Sequence, residues 1–251
     1  MKVLDHLLRK VGTGKVHLTL IDPDEQDPSD AGRMACTAMD AGTDGIMIGG
    51  STAEDQSIVD RTVRAIKEVC SVPAILFPGG TRGLSASADA IFYISLLNSS
   101  DPYFITGAHA ETAHLIRDLG IEVIPVGYII VEPGMTVGRM GKAEVIPRDR
   151  SDLASSYALV AQLFGMKMVY LEAGSGADRH IPPEMIGKTR SNIELPLIVG
   201  GGIRTVEDAM SVSSSGADIV VQGTAVEEDG GAEKRVADVI RCLKGNLASG
   251  P

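Results

Sequence analysis

Glu172 and Tyr170 alternate in the run MVYLEA that begins at Met168, so on a β-strand both side chains face the same side. A carboxylate at a strand end is a candidate general base, with a structural ion pair as the other reading. Gly174, Ser175 and Gly176 follow it as a permissive turn able to wrap a polar head group. Two more turns of this kind stand in IVGGGIRTVEDA (from Ile198) and VVQGTAVEE (from Val220). At Gly200, Gly201 and Gly202, and at Gly223 with Thr224, backbone amides can approach an anion closely, and a helix N-terminus after each turn favours negative charge. Tight-turn glycine without a ligand is the alternative. A third feature is LIDPDE, where Asp22, Asp24 and Glu25 bring three carboxylates together. Such hard oxygens suit Mg²⁺ bound with substrate phosphate oxygens, and Ser51 in IGGST could add another oxygen. Asp22 could instead cap a helix that starts near Pro28.

These residues need a frame, and the chain supplies one of alternating elements. Eight short apolar runs read as buried parallel strands: VHLTLI (from Val16), GIMIG (Gly45), AILFP (Ala74), AIFYISLL (Ala90), VIPVGYIIV (Val123), MVYLEA (Met168), LPLIVGG (Leu195) and DIVVQG (Asp218). Longer helical patterns separate them, which favours βαβ units, and eight such units can close an α/β barrel, the (β/α)₈ or TIM type. Active sites of such barrels lie at the C-terminal strand ends, with phosphate often at the last two loops. Gly42, Gly120, Gly165 and Gly216 each stand where a helix should end in a left-handed cap. AGTDGIMIGGS (from Ala41) and SGADIVVQGTA (from Ser215) look like copies of one unit, through duplication or through shared loop chemistry. One unit is incomplete: GGTRGLSASAD, between the third and fourth strands, is too short and too rich in Gly and Ser for the third outer helix. The uncovered apolar surface could take a long apolar ligand or a second subunit. The long stretch EPGMTVGRMGKAEVIPRDR after the fifth strand is a candidate lid. Its Arg139 and Lys142 either meet an anion or are solvated surface charges.

Composition narrows the function classes. The chain has 251 residues, consistent with one barrel domain over residues 1–251, and a formal net charge of −10. That acidic balance argues against a nucleic-acid partner. Cys36, Cys70 and Cys242 form no C-x-x-C and no disulfide framework, which fits a reducing, cytoplasmic setting. No apolar run reaches a transmembrane length, and charges through MKVLDHLLRKV exclude a signal peptide. His17, His109, His114 and His180 lack metal-ligand spacing, with His109 expected at a helix start, and no G-x-S-x-G supports a hydrolase triad.

Taken together, the motifs resemble the geranylgeranylglyceryl phosphate synthase family, prenyltransferases that make the first ether bond of archaeal membrane phospholipids. The resemblance runs from Lys15 to Thr224 and is carried by LTLIDPDE, FYISLLNSSDPYFITGAHA, VEPGMTVGRMGKAEVIPR, YLEAGSGA, IVGGGIR and VQGTA. It implies that Asp22 and Ser51 hold Mg²⁺. It implies that Tyr170, Leu171, Glu172, Ala173, Gly174, Ser175 and Gly176, with Gly201, Gly202, Gly223 and Thr224, hold sn-glycerol 1-phosphate. Glu172, with Tyr170 beside it, would then form the catalytic pair, Glu172 taking the proton from the glycerol 3-hydroxyl as that oxygen attacks C1 of geranylgeranyl diphosphate and releases diphosphate. The family also replaces the third barrel helix by an irregular segment. It often has a basic residue where this chain has Glu25, which weakens any diphosphate contact there but not the aspartates. The resemblance further implies a homo-oligomer, dimer or larger ring, with the aromatic fourth-strand region as an interface, and a membrane-surface contact for product release. Three rivals remain at this point: a synthase using a longer heptaprenyl donor, a phosphosugar isomerase, and a non-catalytic phosphate- or prenyl-binding barrel.

Overall fold

Eight apolar runs form eight parallel strands, each hydrogen-bonded to the next until the eighth pairs with the first. The computed structural model of the chain describes residues 2–49, 55–223 and 232–245. In chain order the elements begin with α1 (Val3–Val11), β1 (Val16–Ile21), α2 (Pro28–Ala41), β2 (Gly45–Ile48), α3 (Gln56–Val69), β3 (Ala74–Leu76) and β4 (Ala90–Leu96). A π-helical turn (Tyr103–Gly107) leads into α4 (Ala108–Leu119), then β5 (Glu122–Ile130), α5 (Met135–Met140) and α6 (Ser151–Leu163). The chain continues through β6 (Met168–Glu172), α7 (Pro183–Asn192), β7 (Leu197–Gly200), α8 (Val206–Ser214), β8 (Ile219–Gly223) and α9 (Ala232–Leu243). All eight expected strands are present. β7 starts at Leu197 rather than Leu195, because Pro196 has no N–H to give to the ladder.

The strands are apolar on both faces because both are buried. Leu18, Met47, Phe92, Tyr128 and Tyr170 point inward and pack on one another. Neighbours of opposite parity, such as Ile46, Leu171 and Val199, pack against the helices. Full burial of one such aliphatic side chain is worth about 1.5–3 kcal/mol, so strands buried on both faces lose the alternation of a half-exposed sheet. Helix boundaries follow local chemistry. Asp27 caps α2 by accepting from the N–H groups of Ser29 (2.9 Å) and Asp30 (3.1 Å), which settles against Asp22 as that cap. Gly42, Gly120, Gly165 and Gly216 all take positive φ, as their positions before the strands led us to expect. At the N-terminal end of the barrel, Glu122 accepts from the N–H groups of Val3 (2.5 Å) and Leu4 (3.2 Å), and the fully buried Leu7 of α1 joins the interior cluster.

Residues 77–89 contain no helix. Ser85 Oγ donates to Asp60 of α3 at 2.6 Å, which draws this segment toward α3. The loop after β5 is hydrogen-bonded back to the segment that follows β4. The Asn98 amide donates to the carbonyls of Ile130 and Glu144, both at 2.9 Å, and its oxygen accepts from the Ile130 N–H at 3.0 Å. Lys142 pairs with Asp101 at 2.7 Å and Arg139 donates to Thr136 at 3.3 Å, so both cations are engaged at the surface.

Candidate active site

The site is assembled at the C-terminal ends of the strands by register. Tyr128 stands level with Tyr170, Ile130 with Glu172, and Glu172 with Gly200 across β5, β6 and β7. Glu172 is 6% exposed. Its Oε1 accepts from the Gly174 N–H at 2.6 Å, and the hydroxyls of Tyr170 and Tyr128 hydrogen-bond to the same carboxylate. Burial raises the Glu172 pKa, while the two phenols and the Gly174 amide pull it partly back. Burial first, and then the Glu172 charge, pushes both phenols well above their ordinary range, so they remain hydrogen-bond donors. Glu172 has no cationic partner among the described residues, so the ion-pair reading fails. A buried carboxylate with a raised pKa is suited to take a proton near neutral pH.

Beside Glu172 opens a cleft of about 800 Å³, counting space continuous with solvent, bordered by Ser175, Gly176, Gly201, Gly202, Arg204 and Gly223. Glycine is required in its wall. A Cβ on Gly201, where φ is +79°, would come within 2.4 Å of Glu172 Oε1; on Gly202, at +67°, it would come within 2.4 Å of the Arg179 backbone. Among the described residues, no group accepts a hydrogen bond from the N–H of Ser175, Gly176, Gly201 or Gly202. Unpaired amides at converging turns, with the N-terminus of α8 behind them, form a ready anion site. Thr224 lies outside the described residues. Leu171 and Ala173 are fully buried with side chains on the helix-facing cluster, so within the motif they can offer only backbone to the cleft.

A second hollow, about 730 Å³ when space continuous with solvent is counted, lies where the third helix is missing, along β4 and under the π-helical turn and α4. Leu84, Tyr93, Phe104, Ile116 and Met140 line it, an almost wholly apolar set. Tyr128 borders this groove while its hydroxyl reaches Glu172 in the cleft. Its ring also packs on Phe77 and Tyr170, with centroids 5.6 and 5.0 Å away. Tyr128 was not singled out from the sequence. Its signal was parity on β5, legible only once β5 is set beside β6.

At the opposite rim, Asp22 Oδ1 accepts from the Asp24 N–H at 3.0 Å, and its carbonyl accepts from the Gln26 amide. Burial raises the pKa values of Asp22 and Glu25, and Asp24 adds repulsion to both. No cation pairs with any of these three carboxylates among the described residues. Nor does any group of three His, Cys, Asp or Glu side chains there converge as a metal cage, and Ser51 lies outside those residues. The donor set fits an ion that takes one carboxylate from the protein and fills its shell with water and substrate oxygens, which is the habit of Mg²⁺. Two of the histidines have clear packing positions. Burial drives the His17 pKa down to about 3, with Nδ1 3.0 Å from Thr43 Oγ1, and His109 sits in the first turn of α4 against Tyr93.

Fold and site together define a closed α/β barrel with an anion-ready glycine cleft set beside an apolar groove. Residues 9–243 match the PcrB family, and the chain belongs to that family. It is 50% identical over 240 residues to the geranylgeranylglyceryl phosphate synthase of Methanothermobacter thermautotrophicus, covering 96% of this chain and 98% of the relative. Among solved structures, the wild-type GGGPS of Thermoplasma volcanium superposes with a TM-score of 0.94 at 45% identity, covering 98% of each chain. The (S)-3-O-geranylgeranylglyceryl phosphate synthase of Thermoplasma acidophilum, solved in complex with sn-glycerol-1-phosphate, also gives 0.94, at 43% identity over 98% of this chain and 99% of that one.

Proposed function

We propose that the chain, acting as one catalytic barrel domain, transfers the geranylgeranyl group of geranylgeranyl diphosphate to the 3-hydroxyl of sn-glycerol 1-phosphate. The product carries the first ether bond of archaeal membrane phospholipids, and diphosphate is released. The observation that carries this reading is the position of Glu172: buried, its pKa raised by that burial, and set between a glycine-lined cleft and an apolar groove. The relatives' names, and the glycerol phosphate bound by one of them, support the same assignment.

The glycine turns hold the phosphate in the cleft and aim the glycerol toward Glu172. Glu172 takes the proton of the 3-hydroxyl as its oxygen bonds to C1 of the prenyl group, and the bond from C1 to the diphosphate oxygen breaks. Tyr170 and Tyr128 orient the carboxylate through their hydroxyls. General bases of this kind contribute about 10²–10⁴-fold. The groove holds the hydrocarbon, where each buried CH₂ is worth about 0.8 kcal/mol, and it keeps water from the reacting carbon. Asp22, with Ser51, is the pair we assign to Mg²⁺, which when bound would offset the charge of the diphosphate. Asp22→Asn should raise the Mg²⁺ concentration for half-maximal rate by about 10–100-fold. An unchanged metal requirement would remove Asp22 from this role. We place the reaction in the reducing cytoplasm, consistent with three free cysteines and with no described helix long and apolar enough to cross a membrane. We also propose a homo-oligomer, supported by the exposure of Leu163 (75%) and Phe164 (73%) at the end of α6.

The decisive experiment incubates the protein with Mg²⁺, sn-glycerol 1-phosphate and a ladder of prenyl diphosphates, with products read by mass. Product with the C20 donor in preference to C35 is expected. A preference for C35 would make the chain a heptaprenyl synthase, and no product with any donor would overturn the transferase reading.

A further inference from the structure

We propose that Arg204 positions the acceptor phosphate: its guanidinium staples the turn after β6 to the turn after β7 and presents a full positive charge to the cleft between them. The inference rests on the acceptor site assigned above and deepens it.

Arg204 directly precedes Thr205, the N-cap of α8, where Thr205 and Asp208 form a reciprocal capping box. The Arg204 N–H donates to Asp208 Oδ2 at 3.0 Å, so the backbone under this side chain is fixed. From that base, Nη2 reaches across to the carbonyl of Gly176 and donates to it at 3.0 Å. Gly176 closes the turn that follows Glu172, and its own N–H is one of the unpaired amides of the cleft. The side chain therefore sets the spacing of the two turns that must converge on one phosphate.

The second part of the argument is charge. The chain carries a net −10, and the cleft contains Glu172, whose carboxylate must be ionised to act as a base. A phosphate dianion enters against that field. Glycine amides and a helix terminus supply only partial charges. Among the described residues, two guanidiniums line the cleft; Arg235 already has an interaction of its own, while the planar fork of Arg204 has five N–H donors, of which the Gly176 carbonyl takes one. The remaining edge suits phosphate oxygens.

Staple and charge separate experimentally. Wild type, Arg204→Lys and Arg204→Met are compared with sn-glycerol 1-phosphate varied at saturating geranylgeranyl diphosphate, at several ionic strengths. Binding of sn-glycerol 1-phosphate and of inorganic phosphate is measured by calorimetry without donor. Loss of a charge-assisted contact should raise KM in Arg204→Met by about 10–100-fold, weaken both calorimetric affinities in parallel and leave kcat within about threefold. The salt dependence of kcat/KM should flatten in Arg204→Met and return in Arg204→Lys, while KM recovers only in part because lysine lacks the fork. Unchanged KM and phosphate affinity in Arg204→Met would overturn the proposal. So would a fall in kcat at constant KM, which a merely structural role predicts. A wild type that binds sn-glycerol 1-phosphate but forms no product would defeat the transferase reading while calorimetry still tested Arg204.

Discussion

The cleft and the groove meet at Tyr128 but are built by opposite means. The cleft exists because side chains are missing: Gly201 and Gly202 leave backbone and open amides where a Cβ would strike Glu172 or the Arg179 backbone. The groove exists because a helix is missing, and its walls keep large side chains such as Phe104 and Ile116. One cavity is specified atom by atom through N–H groups and a carboxylate. The other is specified by shape and by its mostly apolar walls. Geometry at the first should control rate and acceptor binding, while bulk at the second should control which donor is used.

Substitutions can break that division. The largest effect belongs to Glu172→Gln, which keeps the shape of the cleft and removes the base. Turnover should fall by about 10²–10⁴-fold with every donor, with glycerol phosphate affinity nearly unchanged. Near-normal turnover would remove Glu172 from its role. Next comes Gly201→Ala, which puts a methyl at positive φ against Glu172 Oε1. The strain and displacement, about 1–3 kcal/mol, should lower kcat/KM by about 10–100-fold, and by the same factor for all donors. A donor-dependent loss there would show that the two cavities are not independent. Ala108→Phe places a ring in the groove. It should cut the C20-to-C15 preference by about tenfold or more while the affinity for sn-glycerol 1-phosphate, read by calorimetry, stays put. Equal losses for short and long donors would contradict a shape-based groove. The smallest change is expected from Tyr128→Phe. The phenol stabilises the Glu172 carboxylate, so removing it raises that pKa further. The acid limb of kcat/KM should move to higher pH by roughly half a unit to one unit, the size of a single hydrogen-bond contribution. A limb that stays fixed, or moves down, would mean that Tyr128 does not act on the base.

Much of this was legible in the sequence because it is local. Strand runs, glycine caps and the shortfall in GGTRGLSASAD are decided within a dozen residues. The pairing of Tyr170 with Glu172 was likewise readable from strand alternation. What was not legible depends on closure of the ring. Tyr128 joins the site only because β5 and β6 pair in one register out of several. The cap of α2 falls on Asp27 rather than Asp22 because the chain runs on for several residues past β1 before it turns into the helix. The long segment after β5 read as a candidate lid; Asn98, more than thirty residues upstream, anchors its Glu144 carbonyl near the end of β4, a contact the sequence did not show. Composition carries no trace of such a tie. Ser51 and Thr224 lie outside the described residues and keep their roles as proposals.

The gap at the third helix gives the barrel a side door. An ordinary barrel admits everything through its mouth, so a greasy tail and a charged head would compete for one opening. Here the head can enter along the axis and the tail through the wall, and neither needs to leave before the other arrives. On the proposed reaction, the joined product would keep its head at the centre of the ring and its tail out along the flank. Such a product would already be turned tail-outward, in the orientation in which a bilayer could draw it from the protein without exposing the hydrocarbon to water.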